Sequence, residues 1–331
     1  MSGDTETSKP APPQSHRDWT WVARQPLVGP LAALIIAVVV FSIGSPRFLS
    51  AYNLSLIGQQ SIVIGILAVA QTIVILTAGI DLSVGAIAVL GTIVMAKMVG
   101  SSGALGALLI GLVVCAILGA INGSLVTYLR LPPFIVTLGT FTAIAAATQL
   151  YAGSATYPVT SDMLTLFGRS VGIGSFHTTL GVGMLIVVYV VCFYVLSQTA
   201  GGQHVYAVGG DPTATRFSGI KADRTLMAVY VMTGVLAAIA AWAALGRIPN
   251  ADPNAYQTAN LDTITAVVIG GTSLFGGRGS VIGTLIGTLI VGVLRNGLTL
   301  VGVDNLYQNI ATGVLVIIAV SFDQVARRRT Q

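Results

Sequence analysis

Charged side chains are scarce in this chain: Asp, Glu, Lys and Arg make up 8% of its 331 residues, against a hydrophobic share of 54%. A water-soluble domain carries roughly a quarter charged residues. That shortage, with a mean hydropathy of +0.86, excludes a soluble fold and leaves an all-α polytopic membrane protein. Cysteine is nearly missing too. Cys115 and Cys192 both sit in apolar runs, so they read as small buried side chains and not as a disulfide or metal pair. Histidine occurs only at positions 16, 177 and 204, scattered through the tail and loops. There is no H-E-x-x-H, no nucleophile elbow and no G-x-x-x-x-G-K-[ST] loop. These absences speak against an intramembrane enzyme, imply no metal or cofactor, and place any ATP hydrolysis on another chain. The net charge of +5 implies no nucleic-acid partner, because most of the basic residues lie in loops and tails, where they set orientation.

Residues 1–26 are polar and rich in Ser, Thr and Pro, without the apolar core and cleavage site of a signal peptide, and read as a disordered cytoplasmic tail. Residues 27–323 form the transmembrane domain and 324–331 a short basic cytoplasmic tail. Apolar runs near spanning length fall at about 28–44, 54–77, 82–99, 104–128, 133–151, 178–197, 225–245, 262–276, 280–300 and 306–322. About ten spans are therefore expected, the eighth being too short to cross a ~30 Å core comfortably. With the N-terminus inside, eleven Lys and Arg fall on the inner side and five on the outer. That bias puts both termini, and the polar stretch 201–224, in the cytoplasm.

This stretch, GGQHVYAVGGDPTATRFSGIKADR, is a long polar interruption between two strongly apolar runs and carries three basic residues, and a partner for it would be cytosolic. Asp211 as N-cap and Pro212 as first helical residue predict about two turns of helix outside the bilayer, with Gly219 as a stop. In the ninth run, Gly279, Gly283 and Gly287 recur every four residues. They make a flat stripe for close packing, either within the chain or across a dimer seam. The segments from Gln71 and from Thr265 read as a helix, a glycine-containing corner and a small-residue helix. A parallel duplication and chance likeness both fit. Ionisable residues are almost missing from the middles of the spans, with Asp81 and Arg278 at corners and Arg295 and Asp304 near the outer surface. This argues against a proton-coupled carrier. Uncharged hydrogen-bonding residues collect at the outer ends: Asn53, Gln59 and Gln60, then Gln149 and Tyr151, then Asn305, Tyr307, Gln308 and Asn309. As a cluster they suit a neutral polyhydroxylated solute, and singly they also fit interfacial anchoring.

TAGIDLSVG (Thr77 to Gly85), INGSLVTYLRLPPFIVTLGT (Ile121 to Thr140), GGDPTATRFSGI (Gly209 to Ile220) and LDTITAVVIGGTSLFGGRGSVIGTLIG (Leu261 to Gly287) resemble the membrane permease subunits of bacterial ABC importers for monosaccharides of the ribose, xylose and fructose type. The resemblance implies an inner-membrane permease, a second permease subunit (a homodimer), a cytoplasmic ABC ATPase, a periplasmic sugar-binding protein and surrounding lipid. It also implies that Gly209 to Ile220 is a coupling helix docking into the ATPase, with Asp211, Pro212, Ala214, Arg216, Ser218 and Gly219 at the contact. The usual pattern there is closer to G-G-N-x-x-A-A-R-x-S-G-I, so Asp211 replaces Asn and Thr215 replaces Ala. Transport would follow alternating access; an energy-independent facilitator or channel is the other reading.

Overall fold

The computed structural model describes residues 27–173 and 176–328. The N-terminal tail 1–26 and the final residues 329–331 lie outside the described residues. The helices are α1 (Val28–Gly44), α2 (Ala51–Leu76), α3 (Val84–Thr127), α4 (Pro133–Ala152), α5 (Leu180–Gln198), α6 (Ala200–Gly210), α7 (Pro212–Phe217), α8 (Ala222–Arg247), α9 (Ala259–Ile269), α10 (Val281–Leu300) and α11 (Asn305–Arg328). Short strands lie in two connections: β1 (Tyr157–Pro158) pairs antiparallel with β4 (Asn250–Ala251), and β2 (Ser170–Ile173) with β3 (Phe176–Thr179). These strands depart from the expected all-helical chain. Among the described residues, six helices are long and apolar enough to cross a membrane, namely α2, α3, α4, α5, α8 and α10.

Local chemistry sets the boundaries. The side chain of Ser50 caps α2 by accepting from Asn53 N at 3.3 Å, and that of Ser280 caps α10 by accepting from Gly283 N at 2.9 Å. Each satisfies an N–H that the helix cannot. Pro133 opens α4, and Gly153 closes it in the left-handed conformation with φ 60°, as glycine does best. A straight α3 of 44 residues would be about 66 Å long at 1.5 Å per residue, twice a ~30 Å hydrocarbon core. Its ladder breaks at Gly103, with φ 70° and ψ 173°, between the third and fourth apolar runs. The eighth run forms only the 11 residues of α9 and then leaves the helix for loop 270–280.

Helix α2 runs through the core: every residue from Gly65 to Thr77 is buried, as expected of a helix apolar on all sides. It packs against α5, α6, α8, α9 and α10. Helix α10 lies on α9 with backbone nearly touching backbone. A Cβ at Gly287 would collide with the Ala266 carbonyl and one at Gly283 with the Gly270 carbonyl. Gly279, at φ 155°, lies against the side chain of Thr272. The glycine stripe therefore faces the chain's own half-length helix. Apolar side chains such as Ile35 and Ile36 on α1 and Val187 and Val190 on α5 are exposed, a surface suited to hydrocarbon.

Candidate functional site

Two polar regions stand at opposite ends of the bundle. At one end α2 and α9 finish while α8 and α10 begin; at the other α2 begins while α8 and α10 finish, and the heads of α3 and α9 meet inside the bundle, where a side chain at Gly85 would run into Asn260. At the first end three segments meet. Gly277 N donates to Leu76 O at 3.0 Å, joining loop 270–280 to the end of α2. The end of α6 lies on that joint. A side chain at Gly209 would run into the Leu76 carbonyl and come within 2.8 Å of Gly277 N, so only glycine lets the three backbones meet. The Tyr206 hydroxyl donates to Gly279 O at 3.1 Å. Both corners of the suspected duplication thus lie side by side, with α6 across them.

From this base the chain turns outward into α7. Asp211 Oδ1 accepts from Thr213 N at 2.8 Å and Ala214 N at 3.0 Å, and Pro212 takes the first helical position. Ser218 ends the helix and Gly219 follows at φ 81°. Thr215 is the buried residue of α7, its hydroxyl donating to Ala207 O at 2.8 Å and so tying α7 to α6. Asp211, Pro212, Ala214, Arg216, Ser218 and Gly219 are exposed. Arg216 Nη2 lies 3.1 Å from Asp223 Oδ1, and both side chains are more than half exposed, so the pair contributes little to stability. Phe217 is 89% exposed. Sequence reasoning passed over Phe217, although an aromatic in a short polar loop was the signal. It also missed α6.

Asp211→Ala should remove both cap acceptors and destabilise α7 by about 1 kcal/mol, whereas Asp211→Asn should nearly preserve it. Hydrogen exchange at Thr213 and Ala214 measures this; equal protection in the two variants would show that the cap is dispensable.

Beneath this region, Asp81 is buried at the first corner. Its Oδ1 accepts from Ser83 N at 2.8 Å and from Ser83 Oγ at 2.6 Å, and Asn122 Nδ2 donates to Ser83 Oγ at 2.7 Å. Burial raises its carboxyl above the ordinary range, partly offset by the bonds from Ser83 and Val84. Asp81 fastens the corner and offers nothing to solvent.

At the opposite end lies a cavity of about 410 Å³ between α2, α8, α9, α10 and the start of α11. Gln60, Gln308 and Asn305 line it. The other residues of the expected polar cluster do not. Asn53 is buried elsewhere, donating to Phe48 O at 2.8 Å and to Asn296 Oδ1 at 2.9 Å. Gln59 donates to Ser55 Oγ at 2.9 Å, and Tyr307 and Asn309 are exposed. Gln149 does not line it either, and donates to Asn254 Oδ1 at 2.7 Å. The wall also carries a pair that sequence reasoning missed. Asp262, 1% exposed, lies 2.6 Å from Arg295 Nη2. The expectation of almost no charge within the spans is corrected there: the acid at the head of the eighth run is buried against a guanidinium from the ninth.

The family model described as "Branched-chain amino acid transport system / permease component" matches residues 53–320. A fructose import permease of Rhizobium meliloti is 44% identical over 311 residues, covering 92% of this chain and 86% of that protein. A ribose import permease of Bacillus subtilis is 39% identical over 304 residues, covering 90% and 92%. A D-allose transport system permease of Escherichia coli is 35% identical over 301 residues, covering 90% and 91%. No solved structure matches the chain significantly. The match across residues 53–320, with relatives aligned over nine-tenths of the chain, means that this multi-pass inner-membrane protein belongs to the branched-chain amino acid transport system permease family.

Proposed function

We propose that the chain is the transmembrane permease subunit of an ATP-driven monosaccharide importer, a homodimer working with a cytoplasmic ABC ATPase and a periplasmic sugar-binding protein. The chain makes and breaks no covalent bond. The observation that carries this reading is the seating of α6 on both corner loops, with α7 tied to α6 through Thr215 and with Arg216 and Phe217 presented outward. The names of the fructose, ribose and allose relatives support the substrate class. In this reading α7 lies in the cytoplasm and the cavity faces outward.

Movement of the docked ATPase pushes on α7. Thr215 passes the push to α6 through its bond to Ala207, and Gly209 passes it to Leu76 and Gly277. The far parts of α2, α9 and α10 line the cavity, so tipping them as rigid rods closes one access and opens the other.

The function is tested by co-reconstituting the permease, the ATPase and the binding protein. Sugar-loaded binding protein should stimulate ATP hydrolysis only when the permease is present; permease-independent hydrolysis at the same rate would refute the reading. The orientation is tested by Thr213→Cys. The native Cys115 and Cys192 are buried, so the background is low, and a membrane-impermeant maleimide should label Cys at position 213 in inside-out vesicles but not in intact cells. Labelling in intact cells would reverse the assignment.

A further inference from the structure

Helix α9 starts inside the protein and not at its surface: Ala259 is fully buried, and Asp262 sits in the first turn. Half-length helices of this kind present side chains and an N-terminus at mid-depth, where transporters hold their cargo. Asp262 is locked in place. Arg295 Nη2 donates to Asp262 Oδ1 at 2.6 Å and to Thr258 Oγ1 at 3.2 Å, and the Thr258 hydroxyl donates to Asp262 Oδ2 at 3.2 Å.

The two charges are unequally exposed. The Asp262 side chain is 2% accessible and that of Arg295 35%, so the carboxylate hides behind a guanidinium that faces the cavity. Arg295 Nε–H is buried without a partner among the described residues. A guanidinium has five N–H donors, and the carboxylate beside it cancels its charge. Around it stand amides with spare capacity. Gln308 Nε2 donates to Thr299 Oγ1 at 3.0 Å and Val303 O at 2.9 Å, leaving its Oε1 to accept, and Gln60 lines the same cavity. A volume of about 410 Å³ falls in the ~300–1,000 Å³ range of small-molecule sites.

We propose that Arg295, held by Asp262 and Thr258, is a sugar-reading residue of the permease itself, its Nη1 N–H groups donating to hydroxyl oxygens of one neutral monosaccharide while the amides of Gln60 and Gln308 complete the contact. This rests on the reading of the chain as a monosaccharide permease. With both Nη2 hydrogens committed to Thr258 and Asp262, the two Nη1 hydrogens are the donors left for a ligand, held in a fixed plane that lysine cannot reproduce. Asp262 offsets the charge of Arg295, but Arg247 adds a second guanidinium to the cavity wall, so gluconate is the comparison that separates reading of hydroxyls from plain charge attraction.

The test uses the purified full-length permease in nanodiscs, without binding protein, probed with D-fructose, D-ribose, D-allose and D-gluconate by saturation-transfer NMR. Uptake of the same compounds by the complete reconstituted transporter is measured in parallel. The sugar that the transporter takes up should show saturable transfer to the permease alone, and gluconate weaker transfer. Arg295→Lys and Gln60→Met should each weaken that binding about tenfold or more, the size of one lost charge-assisted or buried hydrogen bond. Gln60 is half-buried and makes no structural bond among the described residues, so Gln60→Met decides the matter if Arg295→Lys fails to fold. The inference is overturned if the transporter takes up a sugar that the permease does not bind, if Gln60→Met binds it as tightly as wild type, or if gluconate binds better. Uptake of none of the neutral sugars would instead remove the functional reading on which the inference stands.

Discussion

Gly287→Leu is expected to leave almost no folded protein in the membrane. A Cβ at this position would drive into the carbonyl of Ala266, and backbone cannot swing aside as the end of a flexible side chain can. Overpacking in a dense interior costs about 1–3 kcal/mol, and contact with main chain puts this substitution at the upper end or beyond. Displacing α9 would also disturb the pair Asp262–Arg295 at its head. The control is Gly313→Leu on α11, where nothing lies within 4 Å of an added Cβ. Monodisperse yield after detergent extraction should collapse for Gly287→Leu and stay near wild type for Gly313→Leu. Equal yields would mean that α9 and α10 do not pack as described.

The second large effect belongs to α7. Arg216→Glu and Phe217→Ala should each leave folding intact, because both side chains are exposed and the Arg216–Asp223 pair is a solvated one. Each should nevertheless weaken association with the ATPase. An exposed aromatic that inserts into a partner commonly carries about 2 kcal/mol or more, roughly thirtyfold in affinity. Reversing the charge at 216 turns an attraction into a repulsion for any partner carboxylate. Co-purification of tagged ATPase with each variant measures the loss. Wild-type association in both variants would remove α7 as the docking element, whatever its position.

Some of this was legible in the sequence and some was not, for reasons of range and geometry. The cap of α7 was readable because Asp211, Pro212 and Gly219 act within one short segment. The break at Gly103 was visible as a glycine and serine interval between two apolar runs. By contrast, α6 has the sequence AGGQHVYAVGG, whose glycines oppose helix by up to about 1 kcal/mol each. Packing on Leu76 and Gly277 overrides that preference. The polar cluster was located by position along the chain, but neighbours on a helix point about 100° apart, since 3.6 residues make a turn. Gln60 therefore lines the cavity while Gln59 turns to Ser55, and Gln308 faces inward while Tyr307 and Asn309 face outward. Contacts between distant segments left no mark in the sequence at all. Asn53 meets Asn296 across 243 residues, and Arg295 meets Asp262 across 33.

The account stands most directly on coupling between the loop end and the cavity end of this chain. Proteoliposomes containing the permease, with and without the ATPase, should be loaded with binding protein and radiolabelled monosaccharide outside and ATP on the ATPase side, and internal sugar followed to its plateau. The account predicts accumulation above the external concentration only with ATPase and ATP together, and no accumulation for Arg216→Glu. Equilibration of sugar by the permease alone, indifferent to ATP and to Arg216, would contradict it and identify a facilitator instead.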